Sequence, residues 1–124
     1  MLRLFSLFGR SADMQALDDA LRACGVHPIL VPEAVKLTVL RLHRRGAGPA
    51  GDGFGAAAAL LSYCMLGRAP FVEARGPEAA DAAEARVEAA IDAGDSGDAK
   101  IILLALHAGL VTPEVAERFE LDKR

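Results

Sequence analysis

Residues 54–66 contain no charged side chain and are apolar on nearly every side of a helical projection. A globular chain can hold such a helix only near its centre, with other elements covering all of its faces. The run is also well short of the roughly 20 residues needed to span a bilayer. A second apolar run, 99–108, carries Ile101, Ile102, Leu103, Leu104 and Leu106. The chain has 124 residues, which is one domain's worth. Two central helices and a set of covering ones are therefore expected, and Leu103→Asp is expected to unfold the protein by burying an unpaired carboxylate.

Glycines and prolines punctuate the remainder. A first helix is expected over 12–24, capped by Ser11 and stopped by Gly25, with Met14, Leu17, Leu21 and Cys24 on its buried face. Residues 32–45 read as a second helix opened by Pro32, although 36–42 is β-branched enough for a strand. The glycine-rich stretch 46–53 is the internal loop, with Asp52 placed to cap the central helix. Gly67 stops that helix, and Pro70 opens a short piece ending near Gly76. Residues 77–93 are the best-patterned helix. Ala80, Ala83, Val87, Ala90 and Ile91 line one side, and Asp81, Glu84, Glu88 and Asp92 line the other. After a turn and cap at 95–98 comes the second apolar helix, ended by Gly109. Thr112 and Pro113 then start a last short helix with Val115, Ala116 and Phe119. The expectation is an all-α, single-domain compact helical bundle of about five or six helices.

Residues 56–76 and 99–119 echo each other at an offset of 43, pairing Ala56/Ala99, Leu60/Leu103, Leu61/Leu104, Pro70/Pro113, Val72/Val115 and Arg75/Arg118. A duplicated helical hairpin would produce this pattern, as would chance in Ala- and Leu-rich sequence.

Composition narrows the function classes. Aromatics make up 5%, with no Trp and one Tyr, too few for stacking platforms that bind single strands. Net charge is −3, so no global basic field draws the chain to nucleic acid. Residues 1–50 hold seven basic against four acidic side chains, and 51–124 hold seven against thirteen. Eleven Arg against three Lys, with 25 Ala, suggests a GC-rich bacterial genome. Cys24 and Cys64 are expected reduced in the cytoplasm. The apolar start Met1 to Arg10 is broken by Arg3 and Ser6 and is too short for a signal-peptide core.

Chemical motifs are sparse. Residues 104–122 resemble the opening of a helix-turn-helix, but the chain then reads Asp122-Lys123-Arg124, with no recognition helix to enter a major groove. Cys24 and His27 have metal-ligand spacing, and Cys64, His43 and His107 could complete a set in space, yet the paired spacing of a zinc site is missing. Residues 92–103 mimic a calcium loop until position nine, Lys100, and position twelve, Leu103, where the bidentate Glu belongs. The loop 46–55 lacks the Gly-Lys-Ser/Thr ending of a phosphate cradle. No Ser/His/acid cluster or helical Glu-x-x-His motif occurs. No catalytic residue, metal or cofactor is therefore expected.

Interaction remains. The expectation is a non-catalytic protein–protein interaction or regulatory module of a bacterial cytoplasm, self-associating as a homodimer. Candidate interface residues are Leu4, Phe5, Leu7 and Phe8 in the N-terminal arm, with Arg41, Arg44 and Arg45 at the basic end of the second helix. Those arginines could meet the acidic stripe 81–92 of another copy. One alternative is a small-molecule-binding or enzyme accessory subunit, with Tyr63, Cys64 and His107 lining a pocket between the two apolar helices. Another is a truncated helix-turn-helix-like regulator.

Overall fold

Helix boundaries in the structure follow the glycines and prolines, except at the N-terminus. The structure, a computed structural model, describes residues 2–44 and 54–121, with side chains from residue 12 onward. Among these residues there are seven α-helices and no strand. They are α1 (Leu2–Ala23), α2 (Glu33–Arg44), α3 (Gly55–Leu66), α4 (Arg68–Arg75), α5 (Pro77–Ala93), α6 (Gly97–His107) and α7 (Pro113–Arg118), with a 3-10 turn at Pro28–Leu30. The all-α class is as expected, and the stretch 36–42 is helix rather than strand.

α1 departs from expectation. It runs ten residues further toward the N-terminus, so Ser11 lies inside the helix and is not its cap. Gly9 sits within the helix too, at about 1 kcal/mol relative to Ala, which good helix formers on both sides offset. α2 lies antiparallel to α1, since Lys36 pairs with Asp18 at 3.2 Å and Arg44 with Asp13 at 3.3 Å.

α3 is the centre of the molecule. It packs against α1, α4, α5 and α6. Leu60, Leu61, Ser62, Tyr63 and Cys64 are buried in succession, which only a helix covered on all sides allows. Leu17 and Leu21 of α1, Phe71 of α4, Val87 of α5, Ile101 of α6 and Val115 of α7 are buried in the same core cluster as its side chains. Each large apolar side chain so buried contributes about 1.5–3 kcal/mol. α6 differs from α3: it buries Ile101, Ile102 and Ala105, while Leu103 on its other face is half-exposed. The unfolding expected of Leu103→Asp is corrected accordingly.

The α3–α4 joint needs glycine at position 67. Its φ of +84° with ψ 177° is a region that residues with a Cβ avoid. A Cβ there would also stand 3.1 Å from a carboxylate oxygen of Glu114. α4 starts at Arg68, so Pro70 sits in the first turn, where its missing N–H is harmless. α5 opens on Pro77 and ends at a left-handed Gly94. Ser96 Oγ accepts from Ala99 N to cap α6, and Thr112 Oγ1 accepts from Val115 N to cap α7. The loop 46–53, including Asp52, lies outside the described residues, and Phe54 takes the N-cap position of α3.

Candidate interaction groove

Glu84 stands on α5 between Ala80, Ala83 and Val87, on the core side of the helix, and is buried. This corrects its place in the acidic stripe. Tyr63 Oη donates to Glu84 Oε2 at 2.9 Å, and Arg68 Nη1 donates to Oε1 at 2.9 Å. Arg118 forks onto the same carboxylate at 3.2 and 3.3 Å. A buried carboxylate without partners would be strongly destabilising, and here donors from α3, α4 and α7 converge on it. Arg68 also pairs with exposed Asp81 at 2.9 Å, tying one member of the stripe to the same cluster. Of the four acids, Asp81, Glu88 and Asp92 are exposed, as expected of a solvent face.

The Tyr63 ring meets Phe71 edge-on at 5.8 Å and Phe119 at 6.5 Å between centroids. Burial, and then the bond to and charge of Glu84, hold the Tyr63 phenol protonated well above its usual range. A second pin lies further along α5. Arg86 forks onto Asp98 at 3.0 and 2.9 Å and donates a third bond, 2.8 Å, to the Ala56 carbonyl. It joins the start of α6 to the start of α3. The two pins set where α6 and α7 stand relative to α5.

Between α5, α6 and the residues that close α7 runs an open apolar groove of about 240 Å³. Ile91, Ile102, Leu103, Leu106, Phe119 and Leu121 are among its walls. Ile91 is 47% exposed and Leu103 50%, which corrects the expectation that both belong to the core. Glu120 is among the lining residues as well, and exposed Glu88, Asp92, Asp95 and Glu117 lie within two residues along the chain of others that line it.

The residues singled out from sequence fall elsewhere. Tyr63 and Cys64 are fully buried inside α3, whereas His107 is exposed at the end of α6. None of the three lines this groove, so the structure does not assemble them into one pocket. Burial pushes the Cys64 thiol up to about 12, against a smaller opposing effect of Arg86. Burial raises the Cys24 thiol as well, opposed by Arg75, whose Nη1 lies 3.8 Å from the sulfur. Such thiols are poor nucleophiles and poor metal ligands at neutral pH. His27 Nδ1 accepts from Ile29 N, and His43 rests against Phe54 at 4.4 Å. Among the described residues no three of His, Cys, Asp and Glu are grouped to hold a metal ion.

Arg41 and Arg44 are exposed on α2 and, with Leu37 and Leu40, line a small cleft of about 90 Å³. Arg45 and the side chains of Leu4, Phe5, Leu7 and Phe8 lie outside the described residues. No described helix is long and apolar enough to cross a membrane. Compared with protein-family models, with curated proteins and with solved structures, the chain matches none.

Proposed function

We propose that the chain is a non-catalytic interaction or regulatory module, acting as a homodimer in a bacterial cytoplasm. The observation that carries this reading is the open apolar groove with Ile91 and Leu103 half-exposed along it. Large apolar side chains left half-exposed along a groove have the make-up of a protein contact. At about 240 Å³ the groove is smaller than the ~300–1,000 Å³ typical of small-molecule sites. It suits a few inserted side chains better than an enclosed ligand.

The interior polar groups support the same reading. Glu84, Arg68, Arg118 and Tyr63 bond to one another across four helices, as do Arg86 and Asp98 across two. Their chemistry is spent on positioning helices. The Arg- and Ala-rich composition supports a bacterial source, and two buried, free cysteines suit a reducing compartment.

Native mass spectrometry of the untagged full chain tests the proposal. A homodimer with nothing bound is expected. A monomer at every concentration would contradict it, and a retained small molecule would favour a ligand-binding accessory subunit instead.

A further inference from the structure

We infer that the groove between α5 and α6 receives residues 2–11 of a second copy of this chain. The inference rests on the homodimer reading above and adds which surfaces meet. Three observations point to this occupant. The first is apolar supply. Residues 2–11 contain Leu2, Leu4, Phe5, Leu7 and Phe8, with Leu4, Phe5 and Phe8 at the three- and four-residue spacing of helix-in-groove recognition.

Charge is the second. The segment carries Arg3 and Arg10 and no acid. Exposed Glu88, Asp92, Asp95 and Glu117 each lie within two residues along the chain of one that lines the groove, and none has a basic partner among the described residues. The basic groups nearby are Lys100 and His107, exposed on α6, and Arg118, which stands over the Phe119 ring at 5.6 Å with its charge already paired to Glu84. Basic groups on an apolar helix meeting acidic flanks would set its register.

Length is the third. The backbone is already helical from Leu2, so docking requires no folding of the segment. Its ten residues make about 15 Å of helix, close to the length of the eleven-residue α6 that forms one groove wall. Each copy has one such segment and one groove, so a two-fold dimer contains the contact twice.

Sedimentation velocity on full-chain variants tests this, with circular dichroism confirming the fold. The arm variant is Leu4→Asp/Phe8→Asp, and the groove variant is Ile91→Asp/Leu103→Asp. Each alone should dimerise at least about 100-fold more weakly than the unaltered chain, as loss of two apolar anchors implies. Mixed together, they should form a heterodimer, because one arm and one groove survive between them.

A groove variant that dimerises like the unaltered chain overturns the inference while leaving the homodimer reading standing. A mixture that fails to pair rejects residues 2–11 as the occupant. An unaltered chain that stays monomeric removes both readings. If the apolar variants unfold, Glu88→Lys/Asp92→Lys, on exposed positions, should weaken the dimer, and Arg3→Glu/Arg10→Glu in the other copy should restore it. A charge swap without rescue again overturns the inference.

Discussion

At Glu84 the desolvation of a carboxylate is offset by donors on three other helices, and the consequences can be measured one side chain at a time. Glu84→Ala strands the Tyr63 hydroxyl in the core, so the unfolding free energy should fall by about 2–3 kcal/mol in urea denaturation. Tyr63→Phe leaves Glu84 with both arginines and should lose only about 1 kcal/mol. Equal losses would contradict the hub. The position was partly legible in the sequence: Glu84 is four residues after Ala80 and three before Val87, in the middle of the core stripe. Acidic spacing of three and four residues drew it into the solvent face instead. Only the distant donors Tyr63, Arg68 and Arg118 decide between the two faces. The buried thiol of Cys64 gives a pH prediction. The folded chain holds its proton up to about 12, while the unfolded chain releases it near 9.0. Between these values the folded state binds more protons, so this contribution is complete below about pH 9 and fades as pH rises. Cys24 and Tyr63 are shifted the same way. Denaturation midpoints should fall above about pH 9, less steeply in Cys64→Ala; a flat profile would contradict the burial of these groups.

Whole helices show which local signals survive packing. α5 and α7 were readable because Pro77, Gly94, Thr112 and Pro113 act through their own backbone or side chain, whatever surrounds them. The end of α1 was readable but its start was not, because Ser11 reads as a cap and the helix continues through it to Leu2. α6 was recognised, but its exposed face was not. Ile101, Ile102, Leu103 and Leu104 are apolar in succession, so periodicity cannot say which one faces outward. The structure separates them by burial. Ile101→Asp should abolish cooperative folding, while Leu103→Asp should fold with a loss of about 1 kcal/mol or less. Ser96→Ala removes the cap of α6 and should lower stability by about 1 kcal/mol, read from thermal unfolding.

Over the whole molecule, charge and apolar surface are divided between the two parts of the sequence. Residues 1–50 are net basic and hold the apolar, basic segment, while 51–124 are net acidic and hold the groove. Two copies related by a two-fold axis would match basic with acidic surface at both contacts. Added salt should therefore weaken the dimer modestly, because screening reduces the attraction while the apolar contact stays. Sedimentation equilibrium of the untagged full chain over a dilution series is the most direct test of this arrangement. The predicted result is a reversible species of twice the 13.0 kDa chain mass that dissociates on dilution. A single 13.0 kDa species throughout the series would contradict it.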